Sequence, residues 1–369
     1  MNPFKFGTSN TTGNGTWHTG CTHITCGSRR RFLGSVAALG ASALPVSRAF
    51  GQAPAVVTKR IDFHQHFFSP SYLKLAEARH AAKEIFGFDQ FKTWSVSKAL
   101  DAMDKGNVEK SYLSVTQPGV WFGDLAQTRT AAREMNEYGA RIKADHKGRF
   151  GLFAVLPLPD VEGSLREIEY AFDTLKADGV GLLSSYETMW LGDKSFAPVW
   201  QELNRRKAVV YTHATAPGCC SWEFQPGILP TIVELSSDLA RAMVSLIQGG
   251  TAKATPDVRY IWSHGGGSIW AQRFLTGVTA EDLARPAAPD SRLHHFRRFY
   301  YDTAAAADAI HMGILKMIVP KSQIVFGSDY PWGDPARIAA GLQTSGFTAE
   351  ELAAVYRDNA LKLMPELRG

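Results

Sequence analysis

The sequence predicts an α/β protein built on one (β/α)8 barrel (a TIM barrel), and three observations support this fold class. Eight short runs of apolar and β-branched residues follow one another from about residue 60 onward, and amphipathic helical stretches separate them. Runs that are apolar along their whole length are typical of parallel strands buried on both faces. The 369-residue chain also accommodates the about 250 residues of such a barrel together with insertions. A doubly wound open sheet is the alternative arrangement of the same elements.

The strands follow from these runs in chain order. They are IDFHQH (61–66), KSYLSVT (110–116), FGLFAVLPL (150–158), GVGLLSSY (179–186), AVVYTH (208–213), VRYIWSH (258–264), FYYDTA (299–304) and QIVFGSD (323–329). Helical periodicity is clearest in LAQTRTAAREMNEYGARIKAD (125–145) and SLREIEYAFDTLKAD (164–178), and a Gly or another break after each lets the next strand begin. The alternation predicts a single catalytic domain over residues 56–369.

Residues 1–55 are predicted to lie outside the barrel. The stretch SRRRFLGSVAALGASALPVSRA contains the pair Arg29 and Arg30, a mildly apolar run and small residues near Ala49, so it resembles a bacterial Tat export signal. The apolar run is too short and too weakly apolar for a membrane span, and the polar, Gly- and Thr-rich tail before it is predicted to be disordered. We therefore expect export by the Tat machinery and a periplasmic or secreted protein, with a cytoplasmic location as the alternative.

Composition excludes several classes of protein. With 45% hydrophobic and 20% charged residues, the chain has the composition of a soluble globular protein. The net charge of +5 does not imply nucleic-acid binding, because much of the excess lies in the first sixty residues. Four cysteines, of which Cys219 and Cys220 are adjacent, are too few for a disulfide scaffold and lack zinc-finger spacing.

A barrel of this kind carries its reactive residues at the carboxyl ends of the strands. His64 and His66 end the first strand, and residues two apart on a strand point to the same face. His213 ends the fifth strand, His264 the sixth and Asp329 the eighth. Imidazoles, a carboxylate and a water together suit a divalent ion, zinc foremost, with manganese as a substitute.

These motifs resemble a known group of enzymes. His-x-His on the first strand, His on the fifth and sixth and Asp on the eighth are similar to the amidohydrolase superfamily, and SHGGG, FYYDTA and FGSDYPW resemble its amidohydrolase-related, aminocarboxymuconate-semialdehyde decarboxylase-like branch. YTHATAPGCC and IDFHQHFFSPSYL resemble the 6-methylsalicylate decarboxylases within that branch. The resemblance extends from about Lys59 to the end of the chain.

The resemblance implies a role for each residue at the strand ends. His64, His66, His213 and Asp329 would bind one metal ion, and His264 would act as acid and base beside its water. A mononuclear centre also agrees with GVGLLSSYETMW, because this fourth-strand segment lacks the lysine that binuclear relatives carboxylate. A homodimer is a further implication of the family.

Other residues are weaker candidates for the active site. Asp302, at the end of the seventh strand, is expected either to orient His264 or to cap the helix that follows. Arg273 is a candidate for binding a substrate carboxylate. Aromatic side chains in or near the strand–helix loops are candidates for lining the substrate pocket; these are Phe67, Trp190, Trp222 and Trp332.

We therefore expect a metal-dependent, non-oxidative decarboxylase of a small aromatic or unsaturated carboxylic acid, similar to 6-methylsalicylate, that uses no organic cofactor. Hydrolysis of a lactone, ester or amide by the same metal centre is the alternative. A third interpretation is an exported metal-binding protein without activity. It is disfavoured because His264, which the metal does not need, is retained.

Overall fold

The computed structural model describes residues 58–81, 87–216 and 231–368. The expectations for residues 1–55, including the Tat-like signal, and for Trp222, Cys219 and Cys220 fall outside the described residues. Within them the predicted barrel is confirmed, because eight parallel strands pair with one another in chain order. The barrel strands are β1 Arg60–His66, β2 Val108–Ser114, β3 Phe150–Val155, β4 Gly179–Leu183, β5 Val209–His213, β6 Arg259–Trp262, β7 Tyr300–Asp302 and β8 Ile324–Val325.

The chain that follows the last strand pairs with the first strand, so the alternative of an open doubly wound sheet is wrong. The backbone N–H of Phe63 donates to the carbonyl of Phe326 at 3.0 Å, and the N–H of Asp329 donates to the carbonyl of His64 at 2.8 Å. A parallel bridge also joins Gln65 to Tyr330. The chain beyond β8 therefore runs alongside β1 and nearly closes the barrel.

Six of the eight strands end two to four residues earlier than the sequence predicts, and two of these ends concern site residues. We expected the sixth strand to reach His264 and the eighth to reach Asp329, but β6 ends at Trp262 and β8 at Val325. Both His264 (φ 52°) and Asp329 (φ 65°) have left-handed backbone, which no strand can continue. Non-glycine residues in this conformation cost about 1–3 kcal/mol each and are concentrated at functional sites.

The helices surround the barrel. The helix predicted over residues 125–145 is confirmed, and its N-cap, Asp124, accepts a hydrogen bond from the backbone of Gln127. The helix predicted from residue 164 begins earlier, after the N-cap Asp160. The helices are α1 Pro70–Ala81, α2 Phe88–Thr93, α3 Val96–Lys105, α4 Leu125–Asp145, α5 Val161–Glu169, α6 Ala197–Arg205, α7 Glu234–Gln248, α8 Thr251–Ala254, α9 Ala280–Ala284, α10 Arg292–Arg298, α11 Ala309–Ile318, α12 Pro335–Gln343, α13 Ala349–Ala353 and α14 Asn359–Leu363. None of the helices in the described residues is long and apolar enough to cross a membrane.

A stack of aromatic rings lies beneath the mouth of the barrel. Phe63, Tyr112, Phe153 and Tyr211 come from four different strands and are fully buried. Their successive ring centroids are 4.9, 4.8 and 5.6 Å apart. Burying a side chain of this size contributes about 1.5–3 kcal/mol. The stack forms a rigid floor, and the hydroxyl of Tyr211 reaches upward from it to Asp302.

A β-bulge in β1 aims the two histidines of that strand into the barrel. Ile61 and Phe63 pack in the same buried cluster as Tyr211, so strict alternation would turn His64 and His66 away from it. The pairing of β1 with β2 shifts register between Asp62 and Gln65. A bulge of this kind inverts the side-chain alternation from that point onward.

Candidate metal centre and active site

Four side chains meet at the carboxyl ends of the barrel strands and form what we call the metal cluster: His64, His66, His213 and Asp329. One ligand atom from each lies within 4.8 Å of the others. The Nε2 atoms of His64 and His66 are 3.1 Å apart, and each is 3.1 Å from Oδ1 of Asp329. Two atoms that each bind one ion at about 2.1 Å are separated by about 3.0–3.4 Å. The spacing therefore suits a shared ion.

Each imidazole of the metal cluster is held by an oxygen on its Nδ1 side. The distances are 2.8 Å from His64 to Oδ2 of Asp302, 3.2 Å from His66 to the carbonyl of Ser114, and 2.7 Å from His213 to the carbonyl of Ala214. Carboxylate and carbonyl oxygens accept hydrogen bonds, so Nδ1 carries the proton and donates in all three rings. The three Nε2 atoms consequently face one another at the centre of the cluster, and each can bind a metal ion through its lone pair once it carries no proton.

The chemistry of this donor set fits one divalent cation. Nε2 of His213 is buried and has no hydrogen-bond partner among the residues that the structure describes. A buried polar atom without a partner costs about 1–3 kcal/mol. An ion bound by all four residues would satisfy Nε2 of His213.

Burial and neighbouring carboxylates set the charges of the metal cluster. Burial disfavours a charge on His64, but the carboxylates of Asp302 and Asp329 outweigh it and raise the pKa of His64 to about 10. Burial would raise the pKa of Asp329, but His64 and the hydrogen bonds of the cluster hold it well below its usual value. Desolvation lowers the pKa of His66, and it lowers that of His213 strongly. Without an ion, the cluster therefore combines the ionised carboxylate of Asp329 with a protonated His64 and two neutral imidazoles, and a bound cation would replace the Nε2 proton of His64.

His264 lies beside the metal cluster but does not belong to it. Its ring centroid is 4.9 Å from that of His64 and 5.4 Å from that of His213. Burial lowers its pKa, so the ring is neutral near pH 7. Positive φ angles at Gly265–Gly267 turn the chain sharply after it, and only glycine adopts three such angles in succession at low cost. A neutral imidazole next to a metal site can carry a proton.

Asp302 holds His264, as the first of the two expectations has it, but it does so through the backbone, and it also contacts the ring of His64. Its Oδ2 accepts hydrogen bonds from Nδ1 of His64 at 2.8 Å and from the hydroxyl of Tyr211 at 2.9 Å. Its Oδ1 accepts from the backbone N–H groups of His264 at 2.9 Å and Ala304 at 3.0 Å. The carboxylate thus positions the ring of a metal-cluster residue and the backbone of His264. The capping alternative is wrong, because the next helix, α11, has Asp308 as its N-cap.

Two residues that support the site, Tyr211 and Asp62, were not predicted from the sequence. Tyr211 lies two residues before His213, so the period of a strand places both side chains on one face and offered a signal for it. Asp62 is fully buried and accepts hydrogen bonds from the backbone of His64 and from Ser328. Nothing in the sequence pattern distinguishes this aspartate, because its partners depend on how β1 meets the end of β8.

A cavity of about 730 Å³ opens from the metal cluster to the surface. Trp332 lines it together with His213, His264 and Asp329. The Trp332 ring centroid is 5.5 Å from that of His66. The expected aromatic wall beside the metal ligands is therefore present at this position.

The structure places three other candidates away from the described lining of this cavity. Phe67 is 1% exposed and packs in the core, stacked on Tyr138. Trp190 lies in a short hairpin after β4 and donates its Nε1 hydrogen to Asp238 at 2.6 Å. Arg273 is exposed on a turn. Phe67 therefore packs the core, Trp190 stabilises its hairpin, and Arg273 is solvated at the surface.

A nearly closed parallel barrel with three histidines and an aspartate at its mouth defines a class of metal-binding barrel enzymes. The chain belongs to the Amidohydrolase family, whose model matches residues 61–365. The family predicted from the strand-end motifs is thereby confirmed.

Relatives and solved structures extend along most of the chain. Decarboxylase yanB of Aspergillus niger is 32% identical over 330 residues, which are 84% of this chain and 88% of that protein. The 6-methylsalicylic acid decarboxylase acuB of Aspergillus aculeatus is 31% identical over 331 residues, which are 84% of this chain and 97% of that protein. A dihydroxybenzoic acid decarboxylase from a Polaromonas species, solved with bound manganese and an inhibitor, is 18% identical with a TM-score of 0.68. That match covers 85% of this chain and 98% of the other, and at this identity it shows a shared fold.

Proposed function

We propose that the protein is a metal-dependent, non-oxidative decarboxylase of a small aromatic carboxylic acid of the 6-methylsalicylate kind. The observation that carries this proposal is the metal cluster, in which three imidazole Nε2 atoms and a carboxylate converge at the inner end of a cavity. Both curated relatives are named as decarboxylases, and the one named as a 6-methylsalicylic acid decarboxylase supports an aromatic acid as the substrate class.

His64, His66, His213 and Asp329 would hold the ion. Imidazole-rich sites suit zinc, and manganese is the ion in the Polaromonas enzyme. When bound, the ion supplies Lewis-acid polarisation of a substrate oxygen. Activity after reconstitution of the metal-free protein with zinc or with manganese decides between these two ions.

The side chains of this protein handle the proton. Decarboxylation of an aromatic acid requires a proton on the ring carbon that bears the carboxylate, after which the carbon–carbon bond breaks and its electron pair returns to the ring. His264, buried beside the cluster, and Asp329, hydrogen-bonded within it, are the two groups placed to take a proton from solvent and pass it to that carbon. The net change is one proton taken up and one carbon dioxide released, without an oxidant or a nicotinamide.

The test uses the metal-loaded enzyme in deuterated water. With a hydroxybenzoate of the 6-methylsalicylate type we expect release of carbon dioxide, and a product with deuterium at the vacated carbon. The matched control is the His213→Ala variant under the same metal concentration. Turnover of a lactone or ester, with hydroxybenzoates and unsaturated acids left intact, would instead assign a hydrolase to the same metal site.

We also propose, from the sequence of residues 1–55, that the Tat machinery exports the protein, so that residues 56–369 act in the periplasm or outside the cell. Fractionation of cells tests this export.

We propose separately that the protein forms the homodimer that the family resemblance implies. Sedimentation of the purified chain tests this oligomeric state.

A further inference from the structure

The cavity is larger than a simple ring acid requires, and its two ends differ. Its inner end is lined by His213, His264 and Asp329. Its volume of about 730 Å³ falls within the about 300–1,000 Å³ of cavities that bury drug-sized ligands. A benzoate with a few small substituents is much smaller than such a ligand. A benzoate bound at the inner end would therefore leave the outer part of the cavity unfilled.

Large aliphatic side chains line the outer end and stand open to solvent. Ile310 is 73% exposed, Ile232 66% and Ile314 39%, and all three line the cavity. Ile310 and Ile314 are one turn apart on α11, so they share a face of that helix. A single exposed apolar residue is ordinary, but a group of them along one cavity indicates an apolar ligand or partner.

Three polar side chains that line the cavity with these isoleucines make hydrogen bonds within the protein. The hydroxyl of Ser268 donates to the carbonyl of Ser236 at 3.2 Å, and the indole of Trp270 donates to the carbonyl of Gly265 at 2.6 Å. Nδ1 of His311 lies 2.5 Å from a carboxylate oxygen of Asp308 on the same helix. The lining in the described part of the chain includes no lysine or arginine. The outer end thus suits a hydrocarbon rather than a second carboxylate or a phosphate.

We propose that the outer end of the cavity binds an aliphatic chain on the substrate ring, so that the preferred substrates are hydroxybenzoates with an alkyl substituent longer than methyl. This inference rests on the proposed function, because the decarboxylase site places the reacting carboxylate at the inner end. The cavity is continuous between the two ends, so one molecule can fill both. Ile310 and Ile314 then determine specificity, since they touch the chain and not the reacting carbon.

The experiment compares 6-methyl-, 6-propyl- and 6-pentylsalicylate with the metal-loaded full chain. Each fully buried methylene is worth about a fourfold gain in kcat/KM. Because the aliphatic wall is partly open to solvent, we expect a gain on the order of tenfold from methyl to pentyl. The double variant Ile310→Ser with Ile314→Ser should reduce the pentyl-to-methyl ratio at least about threefold. The control is Met317→Ser, on the same helix and 66% exposed but outside the described lining, which should leave the ratio unchanged.

Each outcome decides a separate point. A ratio near one in the unaltered enzyme overturns the aliphatic subsite and leaves the decarboxylase standing. If no salicylate is decarboxylated, the proposed function fails, and calorimetric binding of the same three compounds still tests the subsite: affinity that rises with chain length supports it, and flat affinity overturns it. A double variant that dissociates an oligomer in sedimentation while keeping the wild-type ratio would assign Ile310 and Ile314 to a contact between copies and overturn the proposal.

Discussion

Replacing Asp302 with Asn should disable the metal cluster without removing any of its four residues. The carboxylate accepts four hydrogen bonds, two at each oxygen. Asn has the same shape, which matters because Gly327 packs closely against Asp302. The side chain of Asn keeps one oxygen. This oxygen should face the backbone N–H groups of His264 and Ala304, because both groups donate hydrogen bonds. Its NH2 group then faces Nδ1 of His64 and the hydroxyl of Tyr211, which both donate hydrogen bonds to Oδ2 of Asp302 in the unaltered protein.

The magnitude follows from what His64 loses. An amide NH2 cannot accept a hydrogen bond from Nδ1, so His64 either loses that bond or moves its proton to Nε2, where it blocks the metal. A hydrogen bond to a charged group is worth about 1.5–3 kcal/mol. This corresponds to about a 10- to 160-fold loss of metal affinity, which agrees with the about 10- to 100-fold cost of removing the partner of a metal-binding histidine.

The assay is competition for zinc or manganese between the protein and a chromophoric chelator, with thermal unfolding to verify that each variant is folded. Tyr211→Phe is the matched control, because it removes one hydrogen bond from the same carboxylate oxygen and leaves the acceptor of His64 in place. Its expected loss of metal affinity is smaller, below about 10-fold, since Nδ1 of His64 keeps its partner. Metal affinity within twofold of wild type in folded Asp302→Asn protein would refute the tautomer reasoning.

Three further predictions concern separate parts of the chain. His213→Ala should lose bound metal and activity together, because no other described side chain replaces its Nε2; stoichiometric metal by atomic emission would remove it from the ligand set. His264→Asn should keep the metal while turnover falls by about 10²–10⁴-fold, the usual contribution of general acid–base catalysis; near-normal steady-state rates would place the proton carrier elsewhere. Arg29→Lys combined with Arg30→Lys should retain the precursor inside the cell, since a Tat signal depends on the arginine pair; unchanged export on immunoblots of cell fractions would contradict the signal.

The barrel and the residues at its mouth could be predicted from the order of residues alone. Eight apolar runs alternating with helical periodicity leave few arrangements, and the parallel barrel rule then assigns each strand end to the same side. His213 and His264 could therefore be brought together without any knowledge of contacts between strands. Local periodicity is sufficient here because it depends only on neighbours along the chain.

The orientation of these side chains and their hydrogen-bond partners depend on contacts between distant parts of the chain. The bulge between Asp62 and Gln65 turns His64 inward, whereas uninterrupted alternation after Phe63 would have turned it outward. The orientation of its ring depends on Asp302, which is 238 positions away in the chain. Register shifts and partners across a barrel are set by long-range packing and hydrogen bonding, so they leave little trace in the order of residues along one strand.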